Sequence, residues 1–395
     1  MKIVFLAPFG IRPKGTLIAR MLPLAVELQG LGHRVTVVAP PYTNPEDAGL
    51  VETVRGVTLR NVTLGPASKP LAALSIARQM YAAARDERPD LVHLFKPKGY
   101  GGLAAMAMVA LKETGIRQSP LFVDMDDWEG RGGMNALHPY SAAERLVFQF
   151  QDDWLPPRAR GVTVASRTLQ TRGWSLGIAP ERLLYLPNCI EDLTPVSGSA
   201  ARQRLGIPAD APVLLLYTRF FEFGQDKLHR IFAEVYRRVP GVRLLVVGKG
   251  RNREEELLLA KGGELGFAPA LVMGGWLEPA DIPAFLAAGD VAIYPFADTL
   301  INRAKCPAKL TELLRAGVPV VADAVGQLAE YIKPGVSGLL CDPDHWQEMA
   351  DRVVDLLLDP ARGKELGTVG RNYLLQRFAW RDHAARLDRF YAELV

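Results

Sequence analysis

A charged helix start in the last quarter of the chain is the strongest candidate for chemistry. Residues 303–321 read RAKCPAKLTELLRAGVPVV, in which Pro307 suits a first helical turn and Gly317 suits the C-terminal cap. The free N–H groups of such a turn attract an anion such as phosphate, and Lys309 adds positive charge there. Glu312, one turn later, could accept hydrogen bonds from the hydroxyls of a ribose. An ordinary βαβ unit with solvated side chains would give the same pattern.

Buried runs and helical patterns alternate through both halves of the chain, which predicts parallel sheets flanked by helices. The strands expected in the first half are residues 2–7, 34–39, 91–95, 121–124, 161–165 and 183–186. Those expected in the second half are residues 213–217, 242–247, 270–273, 291–295 and 318–322. The helices expected between them are residues 16–31, 71–85, 102–113, 137–155, 227–238, 254–265 and 279–288.

A polar stretch separates the two halves. The turn PNCIE at 187–191 is followed by TPVSGSAARQR at 194–204, which is typical of a linker. A chain of 395 residues is long enough for two domains of about 200 residues each. We therefore expect Rossmann-like, doubly wound domains at 1–192 and 193–377, with a cleft at the carboxyl ends of their sheets, and a final helix at 378–395.

The composition is that of a soluble globular protein, with 49% apolar and 23% charged residues and a net charge of +4. The apolar runs are shorter than the roughly 18 residues that span a bilayer, and MKIVFLAPFG resembles a first strand more than a signal peptide. Cys189, Cys306 and Cys341 lack the spacing of a zinc site or a disulfide framework. We expect a cytoplasmic protein whose mild positive charge permits contact with nucleotide phosphates or an anionic membrane face and does not call for nucleic acid.

Two cations lie at a strand end in the second half. Arg219 follows strand 213–217 and Lys227 opens the next helix, so the pair could clamp a diphosphate leaving group or form surface salt bridges. In the first half, Gly15 and Thr16 could present N–H groups to a phosphate, or form a plain turn. The glycine fingerprints of dinucleotide folds and of P-loop NTPases are absent, which argues against both classes.

The segment PAKLTELLRAGVPVV resembles the donor-binding segment of retaining glycosyltransferases of family 4, which have the GT-B fold of two Rossmann-like domains. That family carries two glutamates separated by seven residues, the second followed by Gly-x-Pro-Val-Val. Glu312 and residues 317–321 match the second part, whereas Ala304 stands in place of the first glutamate. A subgroup with Pro-x-Lys-Leu-x-Glu is similar to the form found here, and the turn at 187–191 is similar to the family's turn before its linker. Because the missing glutamate contacts the donor sugar in the family, the identity of the donor sugar stays undecided.

The resemblance implies a nucleotide-sugar site in the second domain and a final helix that crosses back to the first. Arg219 and Lys227 would hold the diphosphate and support catalysis. Trp276 would lie near the base, although an aromatic side chain packed at a domain edge would fit as well. The implied donor-binding residues are Gly15, Thr16, Gly248, Trp276, Leu277, Arg303, Lys309, Leu310, Thr311 and Glu312.

Three acids follow a strand of the first half, in the run DMDDW. Asp126 falls where the family often has histidine, so the resemblance implies that it orients the acceptor hydroxyl or stabilises an oxocarbenium-like transition state, with Asp127 beside it. Asp124 and Asp126 also form the Asp-x-Asp metal motif of the other common glycosyltransferase fold, GT-A, and helix capping is a third explanation. We expect no metal, because the phosphate signals lie in the second half.

Further candidates follow the preceding strand. His93 resembles a recurring family position and is expected on the acceptor side, although a structural histidine would fit too. Lys96 and Lys98, with the small-residue helix 102–113, are expected to form a basic and apolar surface. Such a surface could meet a lipid-linked acceptor or the inner face of a membrane, and lysines beside a core helix would explain the pattern equally.

The expected function is that of a metal- and cofactor-independent retaining hexosyltransferase. It would move a hexosyl group from a UDP- or GDP-sugar to a hydroxyl acceptor in glycolipid or polysaccharide synthesis. A hydrolysing nucleotide-sugar epimerase is one alternative, and it would turn over the donor without an acceptor. A nucleotide-sugar-binding protein without catalysis is another, suggested by Ala304.

Overall fold

The computed structural model describes residues 1–10, 17–66 and 68–395, and the chain divides into two compact units. The first unit comprises Met1–Cys189, Ala304–Cys306 and Trp380–Val395. The second comprises Ile190–Arg303 and Pro307–Ala379. Each unit has its own central sheet, made of strands with largely buried residues.

The first unit is built on an eight-stranded sheet. Its strands are β1 (Lys2–Leu6), β2 (Arg34–Ala39), β3 (Val51–Val54), β4 (Val57–Asn61), β5 (Leu91–Phe95), β6 (Leu121–Met125), β7 (Gly161–Val164) and β8 (Leu183–Tyr185). They lie in the order β3-β4-β2-β1-β5-β6-β7-β8, and all neighbours are parallel except β3 and β4. The predicted parallel sheet is confirmed, with one antiparallel strand at this edge, because the two-residue turn Arg55–Gly56, with positive φ at both residues, can join only antiparallel strands.

The second unit is built on a six-stranded, fully parallel sheet. Its strands are β9 (Val213–Tyr217), β10 (Arg243–Val247), β11 (Leu271–Gly275), β12 (Val291–Tyr294), β13 (Val320–Asp323) and β14 (Leu339–Cys341). The order β11-β10-β9-β12-β13-β14 places β9 and β12 at the centre, with Leu214 opposite Val291. Residues of β9 and β12 are buried against a cluster of apolar helix side chains, as expected for parallel strands covered on both faces.

Fifteen α-helices surround these sheets in the described parts of the chain. Up to residue 175 they are α1 (Leu22–Gly30), α2 (Lys69–Asp86), α3 (Gly99–Glu113), α4 (Ala142–Arg158) and α5 (Arg167–Ser175). Beyond it they are α6 (Ser199–Arg204), α7 (Gln225–Arg238), α8 (Glu254–Leu265), α9 (Ile282–Leu286), α10 (Leu300–Ala304), α11 (Ala308–Arg315), α12 (Leu328–Tyr331), α13 (Trp346–Leu358), α14 (Pro360–Arg377) and α15 (Trp380–Leu394). Within the described residues none of them combines the length and apolarity that a membrane span requires.

Short helical turns of other types complete the structure. A π-helical turn, Leu17–Met21, precedes α1, and the 3₁₀ turns are Pro41–Thr43, Pro45–Asp47, Met134–Leu137, Pro180–Arg182 and Ala268–Ala270.

Two predicted boundaries are corrected by local interactions. Helix α4 begins at Ala142 and not at residue 137, because Ser141 and Glu144 form a capping box. The Ser141 N–H donates to the Glu144 carboxylate at 2.7 Å, and the Glu144 N–H donates to the Ser141 hydroxyl at 3.2 Å. The expected linker at 194–204 is partly helical, because Arg202 on α6 donates to the Ala288 carbonyl at 3.0 Å and to Asp290 at 2.9 Å.

Helix α14, which the sequence pattern did not reveal, holds the end of α11 in place through glycines. A Cβ atom added to Gly367 would lie 2.0 Å from the Gly317 carbonyl oxygen, so the two backbones touch directly. Gly317 follows α11 and has φ of 75°, a conformation that glycine adopts readily. The position of α11 therefore depends on the absence of a side chain at Gly367.

Replacing Gly367 with Ala should lower the free energy of unfolding by about 2–4 kcal/mol, because the added methyl group must displace a packed backbone. The control is Gly263→Ala, in the last turn of α8, where an added Cβ meets nothing within 4 Å. This control should be neutral or stabilising by up to about 1 kcal/mol. Urea unfolding followed by circular dichroism measures both variants, and equal midpoints would contradict the close packing of α14 on α11.

Candidate functional site

Tyr217, the last residue of β9, lies between two of the predicted donor residues. Its hydroxyl forms a hydrogen bond with the Glu312 carboxylate, and burial together with this carboxylate raises the pKa of Tyr217 far above its usual range. The Lys309 ammonium lies 5.3 Å from the centre of the Tyr217 ring. The structure therefore brings Lys309 and Glu312 together at the end of a central strand. Sequence analysis missed Tyr217, although its place two residues before Arg219 was a usable signal.

Leu310 and Thr311, near the start of α11, can offer a ligand backbone groups and not side chains. Pro307 precedes the helix in an extended conformation and makes no side-chain capping bond. The side chains of Leu310 and Thr311 are buried, and the Thr311 hydroxyl donates to the Ala308 carbonyl at 2.8 Å. If these two residues bind a donor, they can do so only through the N–H groups of the first turn, which lack acceptors within the helix.

Arg219 leaves the same strand end and lies beside an exposed aromatic ring. Its guanidinium carbon is 5.7 Å from the centre of the Trp276 ring, within the range of a cation–π contact. Burial, and after it the charge of Arg251, lower the pKa of Arg219, so an approaching anion would relieve unfavourable positive charge. Trp276 is 54% exposed and open to a ligand, whereas the Leu277 side chain is buried.

The loop after β9 is held in a demanding backbone conformation. Phe220 has φ of 67°, unusual for a residue with a side chain, and its N–H donates to the Thr218 hydroxyl at 2.8 Å. Gly248, at the end of β10, has φ of 118°, and an added Cβ would lie 1.9 Å from the Thr218 carbonyl oxygen. The Gly248 N–H donates to the Gly275 carbonyl at 2.8 Å. Glycine at 248 thus lets the ends of β9, β10 and β11 approach one another.

Lys227 does not lie with Arg219 in a phosphate clamp. Its ammonium donates to both carboxylate oxygens of Asp323, at 2.7 Å each, and to the Pro343 carbonyl at 2.8 Å. A lysine has three N–H donors, so all of them are used. Burial raises the pKa of Asp323 to about 6 in spite of Lys227, and the Phe296 N–H also donates to this carboxylate. The sequence-based role of Lys227 is corrected accordingly: it ties α7 to the end of β13.

Arg303 is paired with an acid, and two other predicted donor residues cannot be placed. The Arg303 guanidinium is exposed and bonded to both carboxylate oxygens of Asp298. An exposed ion pair of this kind contributes little to stability and is easily broken by a ligand. Gly15 and Thr16 lie outside the described residues.

In the first unit, Asp126 and Asp127 lie in a buried network at the end of β6. Lys96 Nζ is 3.2 Å from Asp126 Oδ1 and 3.4 Å from Glu129 Oε1, and it also pairs with Asp127. Burial raises the pKa of Asp126 to about 7 against the opposing charge of Lys96, and Asp127 and Asp124 add to the rise. Asp126 therefore titrates near physiological pH, as suits a group that accepts a proton.

The predicted basic surface around Lys96 and Lys98 does not exist. Both lysines are buried, and Lys98 donates to Glu129 at 2.7 Å and to Asn135 at 3.1 Å. Ammonium groups can be removed from water only when carboxylates compensate their charge, and Glu129 does so for both. Lysines that looked exposed in the sequence are thus internal counterions.

Asp124 is bound by an arginine that sequence analysis missed. Arg20 Nε donates to Asp124 Oδ2 at 2.8 Å and Arg20 Nη2 to Asp124 Oδ1 at 2.6 Å, with both residues buried. Arg20 also donates to the Leu186 carbonyl at 2.7 Å. A guanidinium thus holds both oxygens of Asp124, which does not favour the Asp-x-Asp metal alternative. Across the parts of the chain that the structure describes, no three His, Cys, Asp or Glu side chains are grouped to hold a metal ion.

The assignment of His93 to the acceptor side is corrected by its burial. His93 is fully buried, with Nδ1 2.5 Å from the Tyr391 hydroxyl on α15 and Nε2 3.3 Å from the Thr163 hydroxyl. Burial lowers the pKa of His93 to about 4, so the ring is neutral. A buried neutral ring bonded on both nitrogens has a structural role, the alternative that its sequence context left open.

Ala304, which replaces the expected glutamate, lies within the first unit. Its carbonyl accepts a hydrogen bond from the Ser166 hydroxyl at 2.6 Å, and its side chain is fully buried. The adjacent Cys306 is held by Asn188, whose N–H donates to the sulfur at 3.1 Å and whose amide donates to the carbonyl at 2.6 Å. This explains the PNCIE turn, because Asn188 binds the segment that leads into α11.

Two protein-family models match the chain. The Glycosyl transferase 4-like domain matches residues 15–189, and Glycosyl transferases group 1 matches residues 211–359. The two α/β sheets and these matches define a GT-B fold protein. The chain belongs to the group 1 glycosyltransferases of the family 4 type.

Curated relatives match part of their own length. A GDP-mannose-dependent alpha-(1-6)-phosphatidylinositol monomannoside mannosyltransferase of Mycolicibacterium smegmatis is 30% identical over 233 residues, 57% of this chain and 60% of the relative. A D-inositol 3-phosphate glycosyltransferase of Acidothermus cellulolyticus is 31% identical over 239 residues, 55% of this chain and 51% of the relative. The chain thus spans only half to three fifths of these relatives' lengths.

A solved structure matches along the full chain. The sucrose-phosphate synthase of Thermosynechococcus elongatus superimposes with a TM-score of 0.77 over 100% of this chain and 99% of its own, at 20% identity. At this identity the likeness shows a shared fold and carries no information about substrate.

The raised pKa of Asp126 predicts a pH-dependent difference between wild type and Asp126→Asn. A carboxyl that binds its proton more tightly when folded contributes stability below about pH 4, which is lost as the pH rises to about 7. Asparagine stays neutral throughout. The free energy of unfolding of Asp126→Asn relative to wild type should therefore rise across this interval by about 4 kcal/mol, because folding raises the pKa of the carboxyl from its usual 3.8 to about 7.

Urea unfolding at a series of pH values measures this difference. Asp344→Asn, at an exposed position, controls for the loss of one surface charge. Parallel curves for wild type and Asp126→Asn would show that the Asp126 carboxyl does not titrate in this range.

Proposed function

We propose that this protein is a retaining glycosyltransferase that moves a hexosyl group from a UDP- or GDP-sugar to a hydroxyl acceptor. The observation that carries this proposal is the group around Tyr217, where Lys309 and Glu312 from the start of α11 meet the end of a central strand. It combines a positive charge, a helix N-terminus and a carboxylate, which are the groups needed for phosphate and ribose. Membership of a glycosyltransferase family supports the reading.

On the donor side, the reaction needs stabilisation of the diphosphate that leaves. Arg219, Lys309 and the N–H groups of the first turn of α11 would bind its phosphates and neutralise the negative charge that grows as the sugar departs. Glu312 would accept hydrogen bonds from the ribose, with Tyr217 holding the carboxylate in place. Trp276 would lie against the base. These fixed cations are the basis for proposing a reaction that needs neither metal nor cofactor.

On the acceptor side, we assign the chemistry to Asp126. Its carboxylate would orient the acceptor hydroxyl and take its proton, or stabilise the positive charge of an oxocarbenium-like sugar. Lys96, 3.2 Å away, would favour the charged form that both roles require. The two curated relatives are named for inositol-containing acceptors, which supports an acceptor in glycolipid or polysaccharide synthesis.

Calorimetric titration with UDP, GDP, ADP and dTDP, with and without Mg²⁺, tests the donor site. We expect metal-independent binding of UDP or GDP, because cationic side chains would neutralise the diphosphate charge that a metal ion could otherwise neutralise. Binding that requires Mg²⁺ would contradict this mechanism, and binding of none would contradict the donor site. Release of nucleoside diphosphate without an acceptor would favour the epimerase, and binding without any turnover would favour the non-catalytic alternative.

Lys309→Ala should lower kcat/KM roughly 100-fold while leaving the fold intact, since the ammonium acts on charge that develops in the transition state. Lys364→Ala, at an exposed position of α14, is the control and should retain activity. Steady-state release of nucleoside diphosphate measures both variants, with circular dichroism as the test of folding. Near-normal turnover by Lys309→Ala would exclude Lys309 from the site.

A further inference from the structure

A third cation, Arg251, lies beside the proposed donor site. It belongs to the loop between β10 and α8, and its guanidinium carbon is 4.9 Å from the centre of the Phe221 ring. Phe221 belongs to the loop after β9, two residues beyond Arg219. Burial, and after it the charge of Arg251, lower the pKa of Arg219, so the two guanidinium groups are close enough to repel each other. A ligand that accepts hydrogen bonds there would offset this repulsion.

The acids that follow Arg251 in the chain do not neutralise it. Each of the three glutamates that open α8 binds another part of the loop: Glu254 the Asn252 N–H at 2.7 Å, Glu255 the Gly250 N–H at 3.0 Å and Glu256 the Arg253 guanidinium at 2.6 Å. Glu222 partly offsets the repulsion, because its charge favours the protonated form of Arg219. Across the described residues no carboxylate forms an ion pair with Arg251, whose side chain is exposed. Its guanidinium can therefore meet a ligand.

The two loops that meet here have defined conformations. Phe220 has φ of 67°, and its carbonyl accepts a hydrogen bond from the Gln225 amide at 2.7 Å. The Glu222 carbonyl accepts one from the buried Asn302 amide at 2.7 Å. In the second loop Arg253 has φ of 63°. Residues with a side chain keep such backbone angles only where their surroundings impose them, and these positions cluster at ligand sites. Both loops are thus preorganised.

The strand order places Arg251 on the base side of the proposed donor site. Lys309, which would bind the diphosphate, contacts Tyr217 at the end of β9, whereas Trp276 follows β11. β10 lies between these two strands, and Arg251 follows it. Neighbouring strands are about 4.8 Å apart, so the ends of β9 and β11 are about 10 Å apart. A nucleotide with its phosphates at Lys309 and its base at Trp276 would therefore pass Arg251.

We propose that Arg251 selects a guanine base, so that the donor is a GDP-sugar and not a UDP-sugar. The inference rests on the donor site proposed above. A guanidinium presents two parallel N–H groups, and guanine presents two acceptors, O6 and N7, on one edge. Adenine has an amino donor beside its N7, and the two acceptors of uracil are separated by an N–H donor, so neither base accepts both bonds. The rings of Phe221 and Trp276 offer aromatic faces to the same base.

Calorimetric titration of the full chain with GDP, UDP and 7-deaza-GDP, in which a carbon replaces N7, tests the proposal. Wild type should bind GDP at least about tenfold more tightly than UDP, and 7-deaza-GDP about tenfold more weakly than GDP, because one bond of the pair is lost. Arg251→Ala should lose about tenfold in affinity for GDP and no longer distinguish GDP from 7-deaza-GDP. Arg251→Lys keeps the charge and loses the paired geometry, so it should bind UDP like wild type and GDP more weakly.

Arg253→Ala is the matched control, an exposed arginine of the same loop that pairs with Glu256. It should bind GDP like wild type, and circular dichroism shows whether each variant is folded. An equal loss of GDP and UDP affinity in Arg251→Ala would assign Arg251 to the diphosphate and overturn the proposal. A wild-type preference for UDP would also overturn it while leaving the donor site intact. Absence of binding of every nucleotide would contradict the donor site itself, and this inference with it.

Discussion

The structure of the first unit around β6 depends on a group of largely buried carboxylates whose negative charge is balanced by Arg20 and Lys96. Asp124 lies near the end of β6 and Asp126 and Asp127 follow it, and an unpaired buried charge costs several kcal/mol. Arg20 binds both oxygens of Asp124, and Lys96 pairs with Asp126 and Asp127. These ion pairs connect the turn before α1, the loop after β5 and the end of β6. The need to neutralise the buried acids therefore also holds these three backbone segments together.

The cations of the second unit have two kinds of neighbour, a carboxylate or an aromatic ring. Lys227 is neutralised by Asp323 and serves the fold, whereas Arg219 and Lys309 lie against the rings of Trp276 and Tyr217. An aromatic face attracts a cation without cancelling its charge as a carboxylate does. Lys309 lies at the start of α11, where the helix dipole also favours an anion.

Much of the fold could be predicted because parallel strands are continuous apolar runs. The bounds of β2, β5 and β9 agree with those expected, and α8 agrees at both ends. Helices α13 and α14 were not predicted. In α14, Gly363, Gly367 and Gly370 disfavour a helix by propensity, whereas Gly367 and Gly370 permit close contact with the backbone of other segments. Helix propensity depends on the residues of the segment itself, whereas this contact is made with residues that are distant in the sequence.

Local patterns were enough to predict the two-sheet organisation, the family resemblance and the positions of Lys309 and Glu312 on one helix, because periodicity and short motifs involve residues close in sequence. The pairing of the charged side chains could be learned only from the three-dimensional structure. Lys96, Lys98 and Lys227 look in sequence like ordinary surface lysines, yet all three are paired with carboxylates. The partners of Lys96 and Lys98 lie about 30 residues away in the chain and that of Lys227 lies 96 residues away. Such pairing depends on burial and on partners that are distant in sequence, so no local pattern can reveal it.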